Sequence, residues 1–166
     1  MDLEIIPTRM DDQTTFRNLF QFYLYDFSRF MHWPVTYGGR YIEDDLEGCW
    51  TSETRHPYLF RLDGDWCGLA IINEDKTSPY TGETNRIAMS EFFVMAGYRR
   101  RGVGRKAATN LFDRYHGTWE VFQMCQNLDA LPFWRSVIRQ YTRGIYQEFK
   151  SPLEDGTVQV FDNRPR

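Results

Sequence analysis

Glu91-Phe92-Phe93-Val94-Met95-Ala96-Gly97-Tyr98-Arg99-Arg100-Arg101-Gly102-Val103-Gly104-Arg105 is the stretch on which the reading of this chain turns. Residues 87–95 are apolar and rich in strand formers, and they predict a strand. After the glycines, Val103, Ala107, Ala108, Leu111, Phe112 and Tyr115 recur at helical spacing. A strand therefore runs into a glycine turn that opens a helix. The first amides of a helix have no partner inside it, and the helix dipole adds partial positive charge there. Gly102 and Gly104 leave that backbone uncovered, and the arginines add charge. The turn is a candidate site for a pyrophosphate or similar anion. Its alternative is an ordinary helix start with a solvated arginine run. No Lys-Ser/Thr follows the glycines, so it is not a Walker loop. It is not the dinucleotide fingerprint either, because the third glycine is missing.

Outward from this point, a strand is predicted over 3–7. A long amphipathic helix follows, capped by Asp11 or Asp12 and carrying Phe16, Leu19, Phe20, Tyr23, Leu24, Phe27, Phe30 and Met31 on its apolar face. Pro34 and Gly38-Gly39 break it, and a short second helix is expected over 42–50. Strands over 56–62 and 66–73 form a hairpin turned by Asp63-Gly64-Asp65. Beyond the central helix, which Gly117 stops, a fifth strand is predicted over 119–125. A helix capped by Asp129 then presents Phe133, Trp134, Val137, Ile138 and Tyr141. A last hairpin, 146–150 and 157–161, turns on Asp155-Gly156. The order β-α-α-β-β-β-α-β-α-β-β predicts one mixed α+β domain over 1–166, built on one central sheet.

Composition narrows the function. The 166 residues are 42% apolar with a net charge of −3, which suits a single packed core and invites neither nucleic acid nor an anionic membrane. A local arginine cluster on such a chain suggests a discrete anionic ligand. Cys49, Cys67 and Cys125 are widely spaced and read as buried reduced thiols. His32, His56 and His116 show no ligand spacing, so no metal is expected. The Met1-Asp2-Leu3-Glu4 start lacks the features of a signal peptide, and no apolar run reaches membrane-spanning length, so the cytoplasm is the expected compartment.

The quoted stretch resembles the acetyl-CoA signature of the GNAT (GCN5-related N-acetyltransferase) superfamily, (Gln/Arg)-x-x-Gly-x-(Gly/Ala), with Arg99, Gly102 and Gly104 in its three places. Asn127-Leu128-Asp129-Ala130 with Phe133-Trp134 looks like the family's Asn-x-x-Ala segment after the fifth strand. The element order is also the family's, so the resemblance covers nearly the whole chain. It implies a mostly antiparallel sheet of about seven strands flanked by helices, whose fourth and fifth strands splay around the pantetheine arm. It implies acetyl-CoA as acyl donor, with Phe93, Val94 and Met95 along the arm. Arg99, Arg101, Gly102, Val103, Gly104 and Arg105 would surround the pyrophosphate. Asn127 would bond the pantetheine, and Trp134 or Phe133 would pack beside it.

The implied chemistry is direct acetyl transfer from acetyl-CoA to a primary amine of a small or amino-acid-like acceptor. An alkylammonium, with a pKa of roughly 10, must lose a proton before attack. Glu91 is the candidate general base, desolvated by Phe92, Phe93 and Val94; the alternative is a solvent-facing or salt-bridged carboxylate, and Glu120 is the runner-up. Many family members carry a tyrosine acid where this chain has Trp134, whose indole is a poor acid. Tyr23 or Tyr25 could approach from the first helix instead. Tyr23, Phe27 and Trp33 are candidate pocket residues, with Asp26, Glu43, Asp44 and Asp45 available to attract a cation; each could equally be core or solvated surface. A catalytically silent acyl-CoA-binding sensor is the competing function, and a homodimer is left open.

Overall fold

Asp63 and Gly64 both take left-handed backbone angles, φ 49° and 95°, the combination a two-residue type I′ turn demands. They join β2 (Arg55–Leu62) to β3 (Asp65–Lys76), the expected hairpin, with β3 running three residues beyond its predicted end. The structure is a computed structural model and describes residues 2–43 and 46–165. β1 (Leu3–Pro7) pairs antiparallel with β2, Leu3 opposite Leu62. β4 (Arg86–Val94) pairs in parallel with β5 (Thr118–Met124), from Arg86 opposite Thr118 to Ala88 opposite Glu120. A parallel pair needs a crossover connection, and α3 (Val103–Arg114) supplies it. β7 (Gly156–Asp162) runs antiparallel to both β5 and β6 (Gln147–Lys150). The seven strands form one open, mostly antiparallel sheet in the order β1-β2-β3-β4-β5-β7-β6. With α1 (Gln13–Met31), α2 (Gly48–Thr51) and α4 (Ala130–Tyr141), the element order is the one predicted.

Two compact units divide the chain, each drawn from two stretches. The first combines residues up to Ile71 with Glu91–Gly104. Its core forms where the apolar stripe of α1 (Phe16, Leu19, Phe20 and Leu24) meets Leu46, Cys49, Leu59, Leu69, Ile71 and Phe93. Side chains of this size contribute about 1.5–3 kcal/mol each when fully buried. The second unit holds Ile72–Ser90 and the residues from Arg105 onward. Phe112 of α3 is fully buried in it, with Trp119, Phe161 and Tyr141 at 4.8, 4.9 and 5.1 Å between ring centroids.

Several local expectations are corrected. α1 stops at Met31, before Pro34, because His32 turns left-handed (φ 49°) and its amide closes on the Ser28 carbonyl. Of the second helix expected over 42–50, only Gly48–Thr51 is helical among the described residues, residues 44 and 45 lying outside them. Just before the expected span, the Tyr41 amide donates to Gln21 Oε1, and Gln21 Nε2 donates to the Tyr41 carbonyl. Asp129 does not cap α4 through its side chain; its backbone is already helical (φ −82°, ψ −26°), where the cap geometry is lost. Gly156 opens β7 instead of turning the hairpin, and a Cβ there would meet the Gln123 carbonyl at 2.4 Å. Cys49 and Cys67 are buried as expected, but Cys125 is exposed and its thiol donates to Asp155. No described helix is long and apolar enough to cross a membrane.

Candidate active site

The distal part of β4 lies in the first unit and carries Glu91 and Phe93. Gly68 on β3 permits the local packing: a Cβ there would stand 2.3 Å from the Phe93 carbonyl oxygen and 2.7 Å from the Phe60 ring. One residue away, the Met95 amide donates to the Cys67 carbonyl at 2.9 Å. Phe93 is buried, while Glu91 is partly buried. From α1, the Tyr23 hydroxyl donates a hydrogen bond to Glu91 Oε2. Burial pushes the Glu91 carboxyl up to about 7, against the opposing pull of the Tyr23 hydrogen bond and the Arg55 charge. A carboxyl near 7 can take and release protons at neutral pH. Tyr23 is held well above its ordinary value, by burial first and then by the neighbouring Glu91 charge.

Beyond β4, a short 3-10 turn over Ala96–Tyr98 leads to the arginines. Arg99 points back into its own unit. Its Nε donates to the Val94 carbonyl at 2.7 Å, its Nη2 pairs with Asp26 of α1 at 2.7 Å, and its guanidinium lies 5.5 Å from the centre of the Phe93 ring. The guanidinium thus fastens the loop to the end of β4 and to α1. Arg100 (φ 61°) and Gly102 (φ 80°) are both left-handed, and Arg100, Arg101 and Gly102 are exposed. Alternating backbone conformations of this kind gather amides into an anion-binding nest. Among the described residues, the amides of Arg100, Arg101, Gly102, Val103 and Gly104 donate to no turn or loop carbonyl. A Cβ on Gly102 would meet no protein atom within 4 Å, so the space before it is open.

Beside Glu91, Tyr23 begins a series of ring contacts that passes through Phe27 to Trp33. Tyr23 lies 5.8 Å from Phe93 and 5.3 Å from Phe27, and Phe27 stacks on Trp33 at 5.9 Å. Trp33 is 38% exposed, and Tyr25 points to solvent at 69%. The acids expected to attract an amine are already paired. Asp26 meets Arg99 and, at 3.2 Å, Arg29. Glu43 accepts from Arg17, Gln21 and Arg40, and those bonds outweigh burial to hold its carboxyl below its ordinary value. Asp44 and Asp45 lie outside the described residues.

The remaining predicted site residues belong to the second unit. Asn127 is partly buried; its amide donates to Met124 and its carbonyl accepts from Ala130, while its side-chain amide makes no hydrogen bond among the described residues. Trp134 is 6% exposed and packs against Phe133 at 5.0 Å and Phe112 at 6.3 Å. Arg105 donates to Gln140 and, at 3.3 Å, to Ser136 of α4. Glu120 is buried, its carboxylate 3.6 Å from the Arg86 guanidinium. The first unit therefore brings together Tyr23, Phe27, Trp33, Glu91, Phe93, Val94, Met95 and the loop from Arg99 to Gly104. Among the described residues, no group of three or more His, Cys, Asp or Glu side chains is placed to hold a metal.

Sequence reasoning missed three contacts here: Tyr23 with Glu91, Arg99 with Asp26, and Gly68 beside Phe93. The first two join residues 68 and 73 positions apart, and no local pattern signals them. Gly68 could have been noticed as a glycine inside a predicted strand, which suggests close backbone approach.

An open, mostly antiparallel sheet of seven strands flanked by helices in this order is the GNAT acetyltransferase fold. The profile of the acetyltransferase (GNAT) family matches residues 16–137, and the chain belongs to that family. Its members are acyl-CoA-dependent N-acyltransferases. Among curated proteins none matches the chain in sequence. An acetyltransferase from Thermus thermophilus shares 13% identity at a TM-score of 0.68, with 98% of each chain covered. The ribosomal-protein-S18-alanine N-acetyltransferase of Escherichia coli shares 12% at 0.62, covering 99% of this chain and 96% of that one. Arabidopsis thaliana NAA60, solved with a bisubstrate analogue, shares 14% at 0.57, covering 97% and 98%. At these identities the likeness is one of fold.

Proposed function

We propose that the chain transfers the acetyl group of acetyl-CoA directly to a primary amine of a small or amino-acid-like acceptor. The observation that carries this reading is a single unit of structure holding both an open amide nest at Arg100–Gly104 and a partly buried carboxyl, Glu91, on the strand that leads into it. The nest amides and Arg101 bind the pyrophosphate of acetyl-CoA, and Val103 and Gly104 begin the helix whose dipole supports it. Phe93, Val94 and Met95 accompany the pantetheine arm. Trp134, whose indole is a poor acid, supplies no proton. Arg99 acts by holding the loop, and Arg105 adds positive charge near the start of α3.

In the reaction, Glu91 takes a proton from the acceptor nitrogen, directly or through water. The nitrogen attacks the thioester carbonyl, and a backbone amide stabilises the oxyanion. The C–S bond breaks, the C–N bond remains, and coenzyme A leaves as its thiolate or thiol. Tyr23, Phe27 and Trp33 offer an apolar wall to the body of the acceptor.

The experiment is incubation with acetyl-CoA and a panel of amines, following thiol release. Amine-dependent release supports the reading. Tight binding of coenzyme A without such release favours the silent sensor, and no binding of coenzyme A contradicts both.

A further inference from the structure

The geometry points to Tyr23 as the positioning residue of the Glu91 carboxylate, a role that rests on Glu91 being the base proposed above. The tyrosine hydroxyl has one proton to donate, and it gives that proton to Glu91 Oε2. Glu91 Oε1 then makes no hydrogen bond among the described residues, which leaves it as the oxygen able to receive the acceptor's proton. The same bond favours the ionised carboxylate over the neutral acid, and the base must be ionised to act.

The tyrosine itself is fixed. Its ring lies 5.2 Å from Phe20, 5.3 Å from Phe27 and 5.8 Å from Phe93, in the middle of a 19-residue helix anchored by Phe16, Leu19, Phe20 and Leu24. Two charged groups bear on the pair. Arg55 of β2 favours the Glu91 anion. Asp26, one turn along α1, opposes ionisation of Tyr23; Arg99 and Arg29 are its ion-pair partners. Because its proton is engaged with Glu91 and its ionisation is opposed by burial and by that carboxylate, Tyr23 is poorly suited to protonating the leaving thiolate. It holds the base instead.

Tyr23→Phe keeps the ring and removes the hydroxyl, so it tests this directly in the whole chain. Two readings are made across pH. One is the titration midpoint of the Glu91 carboxyl by NMR with carbon-13-labelled glutamate, its resonance assigned by loss in Glu91→Gln. The other is kcat/KM for the fastest acceptor amine. Loss of a hydrogen bond to a charged group should raise the midpoint by about one pH unit or more. The acid limb of kcat/KM should move by the same amount. An unmoved midpoint in Tyr23→Phe, beside a limb that disappears in Glu91→Gln, overturns the inference alone. A Glu91→Gln protein that keeps the limb removes Glu91 from the reaction, and the positioning role falls with it. The NMR reading does not depend on turnover, so it separates a wrong base from a wrong partner.

Discussion

Arg99 of the glycine loop and Asp26 of α1 form an ion pair at 2.7 Å, while the same guanidinium donates through Nε to the Val94 carbonyl at 2.7 Å. The first residue of the motif is therefore a fastener for the loop. In the proposed function its task is to hold the following amides in place, and phosphate contact is assigned to the backbone and to Arg101. Arg99→Gln and Asp26→Asn should each raise the KM for acetyl-CoA, by about tenfold for a partly buried bidentate site. The double variant should cost less than the two single effects added, because both remove one interaction. Steady-state kinetics on the four proteins checks this.

Gly102 sits at φ 80° with open space before it. Valine there is strained whatever the room available, at a cost of about 1–2 kcal/mol. It also puts a side chain over the nest. Gly102→Val should raise the KM for acetyl-CoA by more than about tenfold, with a much smaller change in the KM for the amine. Kinetics with each substrate varied in turn distinguishes these.

Gly68 has the opposite character: its backbone is ordinary and its space is full. A Cβ 2.3 Å from the Phe93 carbonyl must displace β4 or β3. Gly68→Ala should destabilise the protein by about 2–3 kcal/mol, an overpacking cost, read as a lower midpoint in urea unfolding.

The Glu91 carboxyl, the proposed base, also bears on stability. Its folded pKa of about 7 lies above the ordinary 4.5, so between those values the folded state holds a proton that the unfolded chain has lost. Stability therefore falls as pH rises from about 4.5 through about 7. Glu91→Gln cannot ionise, and it should be more stable than the parent at pH 8 by about 1–3 kcal/mol. At pH 4 the difference should shrink towards zero. Thermal unfolding across this range measures it.

Much of the architecture was legible because hydrophobic period and turn chemistry are local. Phe16, Leu19, Phe20 and Leu24 announce α1, Asp63-Gly64 announces its hairpin, and the apolar face of α3 follows the glycines directly. The failures have one physical origin. The backbone at Tyr41 bonds to Gln21 of α1, a partner that no local pattern signals. Gly156 is required by the neighbouring β5 backbone, so its turn-like composition misled. The same holds at the site. The nest is read from consecutive residues, whereas the partner of Glu91 comes from a helix far earlier in the chain. The acids predicted to draw an amine, Asp26 and Glu43, are neutralised by arginines whose positions no spacing reveals.

The most direct measurement is the rate of amine-dependent thiol release from acetyl-CoA at pH 7, compared between the parent protein and Glu91→Gln. The account predicts release in the parent and a fall of about 10²–10⁴-fold in the variant, the range for loss of a general base, with acetyl-CoA binding retained. Equal rates in the two proteins, or a parent that binds acetyl-CoA and releases no thiol with any amine, would contradict it.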